Sequence, residues 1–154
     1  MTAEPTDPVE VARAVWERMQ DRDWDGARAL LADDVDICWP VTGERFDSAD
    51  AFIAMNRAYP DGWFITVRAA AVADDGDVLL WVEVPFFDTM MWCAQKVTVR
   101  GGRVVASIDL WSTENADPAP PERAAFRTAT DQLPPAGPPD PTRAVPAPPT
   151  EEPA

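Results

Sequence analysis

Apolar positions along the chain follow two different periods, and the switch between them outlines the domain. Val11, Val15 and Met19 recur at four-residue spacing, with Ala12 and Trp16 beside them, which predicts a helix with one apolar stripe. Asp7 is placed as its N-cap, Pro8 in the first helical position and Glu10 as a capping-box partner. A second, short helix is expected over 25–32, with Ala27, Leu30 and Leu31 inward and Asp33-Asp34 ending it. Val35, Ile37 and Trp39 then alternate with Asp36 and Cys38 as a strand that stops at Pro40. A brief return strand near 44–46 precedes Ser48, the N-cap of a third helix running to Tyr59 with Phe52, Met55 and Tyr59 on one face.

Four longer runs of strand character follow, over 63–73, 78–86, 91–100 and 103–112, separated by turn residues. Gly101-Gly102 fits a two-residue primed turn. The predicted order is α-α-β-β-α-β-β-β-β, an α+β domain with a curved antiparallel sheet wrapped around three helices.

Composition adds a boundary and several exclusions. Of seventeen prolines in 154 residues, twelve lie in 116–154, and all seven tryptophans precede Ser112. The expected organisation is therefore a domain over 1–115 and a Pro-rich acidic tail over 116–154, mostly disordered, with a short helix over 122–133 as its one ordered piece. The 27 acidic against 13 basic residues argue against nucleic acid or an anionic membrane as partner. Most of the acids sit where helix caps and turns want them. With no histidine, Ser-His-Asp and Cys-His nucleophile systems and His-ligated metal sites are excluded. Cys38 and Cys93 are too few for a thiolate site, so neither metal nor cofactor is expected. The N-terminal residues lack a secretory signature and no apolar run spans a bilayer, so a cytoplasmic location is expected.

Asp109 is the residue on which chemistry centres. It interrupts the apolar run Val104-Val105-Ala106-Ser107-Ile108-Asp109-Leu110-Trp111. Alternation places Val104, Ala106, Ile108 and Leu110 on one face and Val105, Ser107, Asp109 and Trp111 on the other. A carboxyl held among indole rings loses hydration, its pKa rises, and it can exchange protons near neutrality. The structural alternative is an Asp paired with Arg57 or Lys96, or one at the sheet rim. Glu83 is a second acid within an apolar strand, on the face of Leu79 and Trp81, with an ion pair to Lys96 or Arg68 as its bland reading. Trp24, Trp63, Trp81 and Trp92 are read as core, sheet face or subunit contact.

Three stretches carry a resemblance. Ala27-Arg28-Ala29-Leu30-Leu31-Ala32-Asp33-Asp34-Val35, Trp39-Pro40 followed by Gly43, and Gly102-Arg103-Val104-Val105 through Asp109-Leu110-Trp111-Ser112 resemble the SnoaL-like branch of the nuclear transport factor 2-like superfamily. Its relatives include ketosteroid isomerase-like and polyketide cyclase-like proteins. The resemblance implies a cone with a pocket at its mouth, lined from the first helix by Trp16, from the first strand by Val35, Ile37 and Trp39, from the third helix by Phe52 and Met55, and from the last strand by Ser107, Asp109 and Trp111. The positions of the isomerase acid–base groups hold Trp16, Trp39 and about Lys96 here, so that mechanism does not carry over. What the resemblance implies is a small-molecule-binding protein and cofactor-independent acid–base enzyme of cyclase, isomerase or dehydratase type. Its ligand would be an apolar ring-forming or carbonyl metabolite. Asp109 would move the proton, and Arg57 or Tyr59 would polarise an oxygen. A non-catalytic ligand-binding or dimerisation module is one alternative, and a limonene-type epoxide hydrolase, needing two carboxylates and an Arg on one water, is another. A homodimer through the convex sheet is expected.

Overall fold

The computed structural model describes residues 5–127. Helix α1 (Pro8–Gln20) starts where Asp7 Oδ1 accepts from the Val9 and Glu10 amides at 3.0 and 3.2 Å. It buries Val11, Ala12, Val15, Trp16 and Met19, the stripe read from the spacing. Helix α2 (Trp24–Ala29) is shorter than expected and ends before Asp33-Asp34. Those two acids belong instead to strand β1 (Leu31–Trp39), which starts earlier than its alternation suggests. The extension has a physical cause: Leu30 O accepts from Val104 N at 2.9 Å, and Leu31 pairs with Val104, so the last strand draws this segment into the sheet. Strand β2 (Glu44–Phe46) and helix α3 (Ala49–Ala58), capped by Ser48, follow as expected.

Strands β3 (Thr66–Val72), β4 (Val78–Phe86), β5 (Thr89–Arg100) and β6 (Arg103–Thr113) form an antiparallel meander. Strand β3 starts later than the hydrophobic run, and Trp63 joins the sheet only through an isolated bridge to Phe86. Gly101 and Gly102 have φ of 58° and 73°, the left-handed pair a primed turn requires. The sheet runs β2-β1-β6-β5-β4-β3. It is antiparallel, as expected, except where β1 lies parallel to β6. Consecutive strands can pair through a turn, whereas β1 and β6 are brought side by side by the whole intervening chain.

The curved, unclosed sheet holds the helices in its concavity. Strand β4 shows the division clearly: Val78, Leu80, Val82 and Val84 are buried, while Leu79 and Trp81 are 48 and 44 % exposed on the convex side. Strand β6 departs from simple alternation. Its pairing with β5 shifts between Ala106 and Val104, leaving Val105 as the extra residue of a bulge. Val104 therefore turns into the core at 4 % exposure, on the same side as Ser107 and Asp109. Beyond the sheet the chain makes one 3-10 turn, Pro121–Arg123. Phe126 is 90 % exposed, so the described part of the expected 122–133 helix neither forms nor docks; the remainder lies outside the described residues.

Candidate functional site

A cavity of about 370 Å³ opens between the helices and the concave sheet. Trp16 and Met19 face it from α1, Trp39 from the end of β1, and Phe52, Met55 and Asn56 from α3. The sheet contributes Val84, Met91, Asp109 and Trp111, and the segment before β3 contributes Trp63 and Ile65. The lining is apolar with a few convergent polar groups, the usual character of a small-molecule site.

Asp109 is 1 % exposed. Its Oδ2 accepts from Trp39 Nε1 and its Oδ1 from Gln95 Nε2, each at 2.9 Å, and Ser107 adds a third side-chain hydrogen bond. Gln95 stands directly across the sheet from Asp109, and its own Oε1 accepts from Trp16 Nε1 at 2.9 Å. The orientation of that amide follows from its neighbours. An indole can only donate and a carboxylate only accept, so Gln95 must turn its oxygen to Trp16 and its nitrogen to Asp109. Burial pushes the Asp109 carboxyl above the ordinary aspartate range. The donors Gln95, Ser107 and Trp39 pull the other way but do not offset the lost hydration. All three are neutral, and neither Arg57 nor Lys96 is among the partners.

Around this acid the rings pack edge to face. Trp111 lies 5.9 Å from Trp16 and 5.7 Å from Trp39, centroid to centroid, and Trp39 also contacts Phe46 and Phe52. Such pairs add about 0.5–1.5 kcal/mol each beyond their buried area, which makes the walls stiff.

The structure brings together Trp16, Trp39, Phe52, Met55, Asp109 and Trp111 as the sequence suggests. Ile37 and Ser107 line instead a small void of about 20 Å³ that shares Trp16, Met19 and Phe52 with the main cavity. Val35 is fully buried core and lines neither space. Tyr59 reaches the rim and is 46 % exposed. Arg57 is exposed on α3 and does not line the cavity. Glu83 lies on the convex side beside Trp81, its Oε2 2.7 Å from Arg68 Nε, with the sheet between it and Asp109. Lys96 also faces outward, paired with Asp75 and with Asp77 at 3.3 Å. The inward residue at that level of β5 is Gln95.

Three contributors are not evident from the sequence. Gln95 is hidden beside Lys96, because only the register of β5 decides which of two adjacent polar residues faces in. Trp63, expected in the core, on a sheet face or at a contact, walls the cavity and is held by Arg22. That guanidinium stacks 3.5 Å from the Trp63 ring centroid and donates to Met19 O, Gln20 O, Trp63 O and Asp61 Oδ1. Met19 belongs to the helix stripe, yet it reaches the cavity as well. Cys93 is buried opposite Trp111, and burial together with the Asp109 charge pushes its thiol far up, so it is not a nucleophile.

No protein-family model and no curated protein sequence matches the chain. Solved structures do. A candidate ketosteroid isomerase from Kribbella flavida superposes with a TM-score of 0.71 at 26 % identity, covering 82 % of this chain and 91 % of that one. A LEH-like epoxide hydrolase of M. tuberculosis gives 0.59 at 20 % identity, covering 71 and 86 %. A candidate SnoaL-like polyketide cyclase from Shewanella putrefaciens gives 0.58 at 12 % identity, covering 72 and 92 %. At such identities the likeness establishes architecture, and a fold of this kind does not dictate a reaction. Three helices cupped by a curved six-stranded sheet, with an aromatic cavity at the open end, make this chain a protein of the nuclear transport factor 2-like fold.

Proposed function

We propose that the protein binds a small apolar molecule in the tryptophan-lined cavity and that Asp109 transfers a proton to and from it. The reaction would be a cofactor-independent isomerisation, cyclisation or dehydration next to a carbonyl. One observation carries this reading: Asp109 is a cavity-wall carboxyl, 1 % exposed, raised in pKa by burial and held only by neutral donors. A carboxylate of raised pKa is a stronger base than a solvated one, and a positioned base contributes about 10²–10⁴ in rate. In its ionised form it removes a proton from the carbon beside the carbonyl; in its acid form it returns one to a different carbon.

The test works without the natural substrate. Cyclic ketones are incubated with the protein in D₂O, and exchange of their α-protons is followed by NMR. Exchange that disappears in Asp109→Asn supports the reading. Ketone binding with no exchange above the Asn variant supports the second reading, a ligand-binding module without turnover. What favours that second reading is that both Asp109 oxygens already accept hydrogen bonds. Epoxide hydrolysis is not favoured, because no arginine and no second carboxylate hydrogen-bonds to Asp109 among the described residues.

The convex face also bears on assembly. Leu79, Trp81, Ile108 and Leu110 are each 44–48 % exposed and lie on strands of one sheet. An exposed apolar sheet face of this kind suits a second copy of the same face, giving a homodimer. Light scattering decides it, with Trp81→Glu expected to shift a dimer to monomer.

A further inference from the structure

Indoles aside, the polar side chains that line the main cavity among the described residues fall into three groups. Thr42, Glu44, Tyr59 and Thr113 are exposed at its rim, and Asp109 is buried in the sheet wall with both oxygens already accepting from neighbours. Asn56 stands between these extremes, half-buried on the helix side. Its amide has one permitted orientation. Nδ2 donates to Phe52 O, one turn back on α3, at 2.9 Å. A backbone carbonyl only accepts, so the nitrogen must face the helix and Oδ1 is turned away from that bond. Oδ1 has no hydrogen-bond partner among the described residues and, unlike the buried Trp111 Nε1, it keeps accessible surface. The wall thus presents a fixed, reachable acceptor amid Phe52, Met55, Val84 and Met91.

We propose that Asn56 is a specificity-determining residue whose Oδ1 accepts a hydrogen bond from a neutral hydroxyl of the ligand, so that the substrate class is an apolar hydroxy ketone. Charge decides between the donors and acceptors a ligand offers. A carboxylate or phosphate brings acceptors only and is repelled by Oδ1 and by ionised Asp109, and no lysine or arginine among the described residues lines the cavity to offset this. An ammonium brings donors but gives up its hydration for one neutral acceptor. A hydroxyl brings the one donor that Oδ1 lacks at a far smaller desolvation cost, and its body meets the apolar wall.

Position makes the assignment useful to the chemistry. Asn56 and Asp109 belong to different walls, one on α3 and the other on β6. A hydroxyl held at Asn56 anchors one end of the ligand on the helix side and leaves the carbonyl and its neighbouring carbons towards the sheet. A ligand that lacks the hydroxyl covers Oδ1 with apolar surface and leaves it unpaired, which is how a site built around an acceptor discriminates. The inference rests on the proposed use of this cavity for an apolar ligand, but it concerns a different residue and is tested separately.

The test uses three probes that share one body: trans-4-phenylcyclohexanol, its methyl ether and 4-phenylcyclohexanone. The ether and the ketone keep an acceptor oxygen but have no donor, so they also report on the second Nδ2 proton. Each is titrated into the full chain by tryptophan fluorescence, and the assigned Asn56 side-chain carbonyl carbon is followed by NMR. The ratio of alcohol to ether affinity should fall about three- to tenfold in Asn56→Leu, as the loss of one hydrogen bond implies. Asn56→Asp, which keeps an acceptor, should preserve that ratio. The alcohol alone should move the Asn56 carbonyl carbon downfield. An unchanged ratio in Asn56→Leu, an equal loss for all three probes, or an unmoved Asn56 carbon would overturn the proposal. So would a ratio that depends on Asp109→Asn and not on Asn56→Leu, which would put the hydroxyl at Asp109. If the Leu variant does not fold, the wild-type resonance decides. Binding of none of the three overturns both this inference and the proposed function. An Asn56-dependent preference without Asp109-dependent exchange overturns only the catalytic reading.

Discussion

Replacing Gln95 by Met isolates the link between the tryptophans and the buried acid. Methionine keeps the length and flexibility of the side chain but provides neither a strong donor nor a strong acceptor. Two contacts are lost, each of 2.9 Å: the acceptor for Trp16 Nε1 and the donor to Asp109 Oδ1. The first is a neutral hydrogen bond worth about 1 kcal/mol; the second, to an ionised carboxylate, is worth about 1.5–3 kcal/mol. Some burial is regained by the thioether, so the variant should lose about 2–4 kcal/mol in urea unfolding followed by tryptophan fluorescence, measured above the folded pKa of Asp109. The sign of the pH dependence follows from Asp109. Its pKa is raised in the folded state, so its ionised form opposes folding at high pH, and this penalty fades as pH falls through the folded value towards the ordinary value near 3.8. Without Gln95, the largest influence lowering that pKa is gone and the folded value rises further. The gap between wild type and variant should therefore be widest at high pH and narrow on acidification. Outside the cavity, Asp23, Asp33, Asp36, Asp61 and Asp75 have lowered pKa values and oppose this trend, but they are common to both proteins and cancel in the difference. A loss below about 0.5 kcal/mol, with no dependence on pH, would refute the idea that Gln95 couples the two groups.

Arg22→Lys should cost about 1–2 kcal/mol and alter tryptophan emission, because an ammonium cannot stack on Trp63 while also reaching Met19 O, Gln20 O, Trp63 O and Asp61. Thermal unfolding and the emission spectrum check it. Gly62→Ala should destabilise by about 1–3 kcal/mol, since φ is +120° there and a Cβ would stand 2.8 Å from the Phe87 ring; the same unfolding assay measures it, and an unchanged midpoint would deny the strain.

Local physics makes much of the fold legible. Asp7-Pro8 and Ser48 announce helix starts because a side-chain oxygen before an apolar stripe satisfies orphan amides, and both act as caps here. Asp109 stands out because a charged residue in an apolar alternating run either faces out of the sheet or is buried and needs hydrogen-bond partners, and it is buried with partners. Features set by distant parts of the chain are not legible. The parallel union of β1 with β6 moves Asp33 and Asp34 from a helix end into a strand. The Val105 bulge reverses the face of Val104. Glu83 and Asp109 look alike in sequence, each an acid among apolar residues, yet their registers place them on opposite faces of one sheet. Gln95 gains its place through the partner strand, which no local pattern reports.

The proposed proton transfer in this cavity depends on Asp109 being a carboxyl whose proton affinity is raised by burial. A titration of its side-chain carbon by ¹³C NMR in the full chain measures this directly. The predicted midpoint lies above the ordinary aspartate value near 3.8 and moves higher still in Gln95→Met. A midpoint at or below that value would make Asp109 a firmly ionised structural acceptor and would contradict the proton-transfer role assigned to it.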